Sequence, residues 1–196
     1  MSTYLVAPDS FKGSLDASSF CQIATQVIHS IEPQATVFSR PMSDGGEGFV
    51  ESFTYAGVGE PHSIWGSDPL GKKTKATFAW QAAIQTAIIE MAQASSITKI
   101  RRPELNPLNT HTYGTGQLIQ AAIDMGAKKI ILGLGGSATN DDGAGALMAL
   151  GVPLLDTKGH SINLGGQALK DLVTTGKIPS YRTQIERENR CVVQHH

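Results

Sequence analysis

Three carboxylates of this 196-residue chain stand in glycine-rich turns, a setting that suits chemistry on phosphates. Asp44 and Glu47 lie in Ser43-Asp44-Gly45-Gly46-Glu47-Gly48, and Asp141 lies in Gly133-Leu134-Gly135-Gly136-Ser137-Ala138-Thr139-Asn140-Asp141. In the second turn Gly135 and Gly136 allow positive φ and a close backbone approach to a ligand. Free N–H groups ahead of a helix attract an anion there, and Ser137, Thr139 and Asn140 add neutral donors. A third turn, Pro8-Asp9-Ser10-Phe11-Lys12-Gly13, brings a cation, since Lys12 can serve as a point charge for a phosphate or a substrate carboxylate. A carboxylate beside a phosphate is repelled unless a cation lies between them. Asp44, Glu47 and Asp141 are therefore expected to act through Mg²⁺ or as a base toward a substrate hydroxyl, and the sequence does not say which does which. Plain structural readings compete: a solvated Lys12, a capping box made by Asp44 and Glu47, and an N-cap at Asn140 or Asp141.

The elements around these turns repeat one grammar of strand, polar turn and helix. Tyr4 to Ala7 reads as a strand, and Leu15, Phe20, Ile23, Ala24, Val27, Ile28 and Ile31 mark a helix that Pro33 closes. Thr36 to Phe38 is a second strand, followed by the Asp44–Glu47 turn and a helix from about Phe49. Lys129 to Leu132 is a short buried strand ahead of the Asp141 turn, and Ala144, Leu147, Met148 and Leu150 suit a helix after it. In open α/β sheets ligands gather at the carboxyl ends of strands, where all three turns are placed. Between them, residues 62–90 read as a small β-rich section, and Leu118, Ile119, Ala122 and Ile123 as a helix ending near Gly126. Val152 to Leu155 and a helix around Gln167 to Val173 continue the alternation, and residues 177–196 are polar and patternless.

Composition narrows the function classes. A hydrophobic fraction of 40% supports a packed core, and Lys+Arg 16 against Asp+Glu 17 leaves a net charge of -1. No global basic field favours nucleic acid or an anionic membrane, so any phosphate binding must be local. Cys21 and Cys191 match no metal or redox spacing, and no signal peptide or membrane-length apolar run is read, which points to the cytoplasm. Gly66-Ser67-Asp68-Pro69-Leu70-Gly71-Lys72-Lys73 nearly spells a P-loop, but Lys73 takes the metal-binding Ser/Thr place and an alternating segment follows, so a turn is expected. His111 stands alone in a polar turn and reads as a capping or surface residue more readily than as a base.

Ala7-Pro8-Asp9-Ser10-Phe11-Lys12-Gly13-Ser14-Leu15, Asp44-Gly45-Gly46-Glu47-Gly48, Asn106-Pro107-Leu108, Tyr113-Gly114-Thr115-Gly116 and Gly135-Gly136-Ser137-Ala138-Thr139-Asn140-Asp141 together resemble the type-1 glycerate kinase family, over roughly Met1 to Leu172. The resemblance implies two α/β domains, one of them flavodoxin-like (doubly wound), with the active site in the cleft between them. It implies transfer of the ATP γ-phosphoryl group to a hydroxyl of D-glycerate, with Mg²⁺. Asp44, Lys12 and Asp141 are the catalytic candidates; Asp9, Ser10, Gly135, Gly136, Ser137, Thr139 and Asn140 would bind substrate or phosphate; Glu47 and Asp44 would bind the metal. Residues 1–61 then form the N-terminal segment of one domain, 62–178 part of the second, and 179–196 a divergent tail.

Family members are longer, and their second half carries further glycine- and acid-rich motifs that return to the first domain. The sequence is thus expected to represent the family's N-terminal half, with an incomplete doubly wound unit and little or no kinase activity by itself. Gln117 stands where the family has an acid, and Asp142 where it has a small residue. Two rival readings remain. One is a non-catalytic remnant of the family. The other is an NAD(P)-dependent oxidoreductase, because Gly133-x-Gly135-x-x-Ala138 matches the dinucleotide fingerprint in its alanine form and Asp156 follows about twenty residues on. Neither oligomeric state nor the hydroxyl that is phosphorylated can be read.

Overall fold

The structure is a computed structural model that describes residues 1–11 and 13–177. Lys12 and the tail expected at 179–196 lie outside the described residues. The fold is α/β, as expected, and its strands form three sheets.

The first sheet is the start of a doubly wound unit. Strands β1 (Thr3–Val6) and β2 (Thr36–Ser39) pair in parallel, and helix α1 (Ala17–Ile31) connects them. Asp16 caps α1 by accepting from the Ser19 N–H at 2.7 Å, and hydrogen bonds from Ser18 and Ser19 hold its carboxyl well below the ordinary carboxylate range. The apolar face expected of α1 is only half used. Ala24 and Ile28 are partly covered, whereas Ile23, Val27 and Ile31 are exposed, because a sheet two strands wide covers one narrow stripe of a helix.

The second sheet carries most of the core. Its order is β3 (Glu60–Ser67), β4 (Lys73–Gln81), β5 (Thr86–Glu90) and β6 (Lys129–Gly133), with β3–β4 and β4–β5 antiparallel and β5–β6 parallel. All five residues of β5 are buried, with the apolar Ala87-Ile88-Ile89 at its centre, as suits a central strand. Helix α2 (Phe49–Tyr55) packs on one face with Val50 against Ala79 and Ile88. On the other, Leu118 and Ala122 of α4 (Tyr113–Asp124) meet Ala76, Phe78 and Ile89, with the four-residue α3 (Ala92–Ser95) beside them. The near P-loop at 66–73 is the β3–β4 hairpin turn, closed by the Asp68 N–H donating to the Lys72 carbonyl at 2.7 Å.

Helix α5 (Ala144–Ala149) and a third sheet of β7 (Leu154–Leu155) and β8 (Thr174–Thr175) complete the described chain around Val152, Leu154 and Ile162. The helix expected around Gln167 to Val173 is a 3₁₀ helix, Gly166–Asp171. Close backbone contact sets its start: a Cβ on Gly166 would fall 2.8 Å from the Asn140 carbonyl oxygen. Among the described residues no helix is long and apolar enough to cross a membrane.

Candidate functional site

The carboxyl ends of β1, β2, β5 and β6 converge on one cavity of about 220 Å³. Its walls come from the turn after β1 (Asp9, Ser10, Gly13), the acid turn after β2 (Asp44, Gly46, Glu47), the segment beyond β5 and α3 (Ile97, Thr98) and the turn after β6 (Gly136). A second cavity of about 340 Å³ adjoins it, sharing Ser10, Gly13 and Glu47 and lined further by Phe11, Leu15 and Met42.

Two glycine turns build this site by touching each other. The Gly135 N–H donates to the Gly45 carbonyl at 2.9 Å. A Cβ on Gly135 would lie 2.5 Å from Gly46 Cα, and one on Gly133 would lie 2.5 Å from the Gly45 oxygen. These glycines let backbone meet backbone, where the sequence reading had assigned Gly135 to a ligand. Gly136 does adopt φ +72 and stays exposed at the cavity edge. Ser137 and Thr139 hydroxyls lie 2.9 Å apart, so they already pair with each other, and Asn140 is exposed.

The carboxylates differ in how they are held. Asp44 Oδ1 accepts from the Gly46 N–H at 3.0 Å, and Asp9 Oδ1 from the Ser10 N–H at 2.6 Å. Glu47 Oε1 accepts from two hydroxyls, Ser96 at 2.8 Å and Thr98 at 2.7 Å. The segment bearing those hydroxyls is itself fixed to the β6 turn: Ile97 N–H donates to the Gly136 carbonyl and Ala138 N–H to that of Ser95. Sequence reading missed Ser96 and Thr98. The available signal was a Ser-x-Thr pair just beyond a buried strand, the same position that draws attention to the other turns.

Asp141, a catalytic candidate from the sequence, lies away from this cavity. It is 1% exposed and is not among the residues lining the cavity. Its Oδ2 accepts from Thr112 N–H, Thr112 hydroxyl and Gly145 N–H at 2.8, 2.9 and 3.0 Å, and its Oδ1 from Gly143 N–H at 3.3 Å. Thr112 Oγ1 in turn accepts from Ala146 N–H at 2.9 Å. The carboxylate therefore ties the start of α4 to the start of α5, a positioning task that four donors leave little room to combine with proton transfer. His111 is also buried, and burial lowers its pKa, which keeps the ring neutral beside the Pro69 turn. Gln117 accepts from the Ser67 N–H at 2.8 Å, a bond that an acid would accept equally well.

A third residue that the sequence reading did not single out is Glu90. It ends β5 at 2% exposure, and its Oε2 accepts from the Val50 N–H at 3.1 Å, at the start of the helix that follows the acid turn. Burial raises its pKa to about 7.

The sequence signature of the glycerate kinase family matches residues 4–190. The chain belongs to the glycerate kinase family. It is 41% identical to the glycerate kinase of Halalkalibacterium halodurans, over 98% of this chain and 51% of that one. Against the glycerate 2-kinase of Escherichia coli K12 the identity is 44%, over 86% of this chain and 44% of the other. A crystal structure of a Salmonella typhimurium LT2 protein assigned as glycerate kinase 2 superposes with a TM-score of 0.74 at 39% identity, covering 89% of this chain and 46% of that chain. The chain thus spans about half the length of the curated relatives it matches. A dinucleotide-binding role fits the geometry poorly. The fingerprint at 133–138 is not followed at once by a helix, since α5 begins only at Ala144, and Asp156 closes its own turn by accepting from Lys158 and His160 N–H groups.

Proposed function

We propose that this site serves phosphoryl transfer from ATP to a hydroxyl of D-glycerate in the cytoplasm, with residues 1–61 and 62–178 forming two domains that meet at the cavity. The observation that carries the reading is the convergence of Asp9, Asp44 and Glu47 with the exposed Gly136 turn on one cavity, in a chain of this family.

Mg²⁺ fits the donor set. Among the described residues no group of three or more His, Cys, Asp or Glu side chains could hold a metal by itself. One or two carboxylates completed by phosphates and water are what Mg²⁺ commonly takes, so the ion would arrive with the nucleotide. Glu47 would ligate it, Asp44 with it or beside it, and the ion would offset phosphate charge. Asp44, whose Oδ2 accepts nothing among the described residues, would take the proton of the attacking hydroxyl. The Gly136 backbone and the Ser137, Thr139 and Asn140 side chains would face phosphate, Asp9 and Ser10 the substrate, and Lys12 one of the two anions. Positioning accounts for much of such a reaction, and the turn-to-turn contacts supply it.

The test is calorimetric binding of ATP with Mg²⁺ and of D-glycerate to this chain, together with turnover of a chimaera in which residues 1–177 replace the matching segment of the E. coli glycerate 2-kinase. Asp44→Asn in the chimaera is expected to lower turnover by at least about a hundredfold with an unchanged circular dichroism spectrum. Unchanged turnover would remove Asp44 from the chemistry, and failure of this chain to bind either substrate would overturn the reading.

A further inference from the structure

Resting on the reading of Glu47 as a metal ligand, we propose that the hydroxyls of Ser96 and Thr98 restrict Glu47 to coordination through one oxygen and so set the site's preference for Mg²⁺ over Ca²⁺. Each oxygen of a carboxylate offers about two lone-pair sites. Both sites on Glu47 Oε1 are occupied, by Ser96 Oγ at 2.8 Å and Thr98 Oγ1 at 2.7 Å. Oε2 accepts nothing among the described residues, and Glu47 lines the cavity. The carboxylate can therefore present one oxygen to a cation while the hydroxyls stay in place.

The clamp is built to stay in place. Ser96 is 1% exposed, its backbone bridges to Ser137, and its Oγ also accepts from the Thr98 N–H at 3.1 Å, capping the short 3₁₀ helix Ile97–Lys99. The two hydroxyl oxygens lie 2.9 Å apart, both turned toward Oε1. Ca²⁺ takes more oxygens than Mg²⁺, in looser geometry, and readily uses both oxygens of a carboxylate, whereas Mg²⁺ demands a tight octahedron and is satisfied by one. Denying the second oxygen penalises the larger ion. Ser96 and Thr98 are thus positioning residues, acting on the cation only through Glu47.

The experiment counts Mn²⁺ bound to the folded chain with ADP by electron paramagnetic resonance, then displaces it with Mg²⁺ or Ca²⁺. In the wild-type chain Mg²⁺ is expected to displace Mn²⁺ at lower concentration than Ca²⁺. Combined Ser96→Ala and Thr98→Val should move the ratio of displacing concentrations toward Ca²⁺ by about tenfold, the scale on which partners of a ligand tune metal affinity. Thr98→Val alone, at an exposed position that does not endanger folding, should move it the same way by less, and Thr98→Ser should leave it at the wild-type value. An unmoved ratio in Thr98→Val, with Mn²⁺ binding lost in Glu47→Gln, overturns the clamp and leaves the metal-ligand reading standing. Mn²⁺ binding absent from wild type, or undiminished in Glu47→Gln, overturns both.

Discussion

At the scale of single residues, Glu90 gives the sharpest pH dependence. Its folded pKa is about 7 against an ordinary 4.5, because burial penalises the charged form. The folded chain then keeps a proton that the unfolded chain releases, so stability falls as pH rises from about 4.5 to about 7 and stays lowered above that. The whole effect is on the order of 3 kcal/mol. Glu90→Gln, which keeps an acceptor for Val50 N–H without the charge, is expected to resist urea better than wild type at about pH 8 and to match it near pH 4.5. A gap independent of pH would mean that Glu90 is not the group titrating. The sequence contained the signal for this residue, an acid closing the apolar run Ala87-Ile88-Ile89, since such acids are rarely buried unless held. Asp44 and Glu47 were legible from their glycine-flanked turn. The partners of Glu47 were not, because Ser96 and Thr98 lie 49 and 51 residues further along and tertiary packing, including α2 against β5, brings them near.

Among the elements, the loop from β6 to α5 shows where local rules are strained. Asp142 sits at φ 55, and Gly143 follows at φ 77 as the N-cap of α5. A side chain in left-handed conformation costs roughly 1 kcal/mol, less for Asp than for a β-branched residue. Asp142→Gly should therefore raise the urea midpoint by the equivalent of about 0.5–1 kcal/mol, and Asp142→Val should lower it by more than that. Equal midpoints for all three chains would show that the loop relaxes freely. Strand and helix periodicity located β1, α1, β2, α2, α4, β6 and α5 and the short strand at Val152–Leu155, whose paired part is Leu154–Leu155, but gave 62–90 only as a β-rich section and did not mark α3 or β8. It failed at Gly166–Asp171, a 3₁₀ helix whose first residue is pressed against the Asn140 and Pro107 carbonyls, a tertiary contact with no trace in spacing. It also overstated α1, whose apolar residues outnumber the neighbours available to cover them.

For the whole molecule, burial is unevenly divided. The core of the four-stranded sheet contains Phe78, Ile89 and Leu118 at 0% exposure, whereas in β1, α1 and β2 Cys21 is the one buried side chain among the described residues and Leu5 is 69% exposed. Opening free energies follow buried contacts, so amides of β4 and β5 should exchange slowest with deuterium and those of β1, β2 and α1 markedly sooner. Mass-spectrometric exchange over a time course checks this, and uniform protection would refute it. Across that uneven body the turns after β2 and β6 are joined by backbone alone, with Gly133 and Gly135 against Gly45 and Gly46. A joint without side chains has no rotamer to swing and no methyl to yield. The carboxylates of the less stable part are therefore gauged directly from the end of the rigid sheet, and loosening of α1 or β1 need not displace them. The same closeness ties Gly133 and Gly135 to the backbone they face. A single added carbon at 133 or 135 would have to be answered by movement of the opposite stretch of chain, so variation is expected to enter this site through Ser96, Thr98 and the second cavity before it enters through those two glycines.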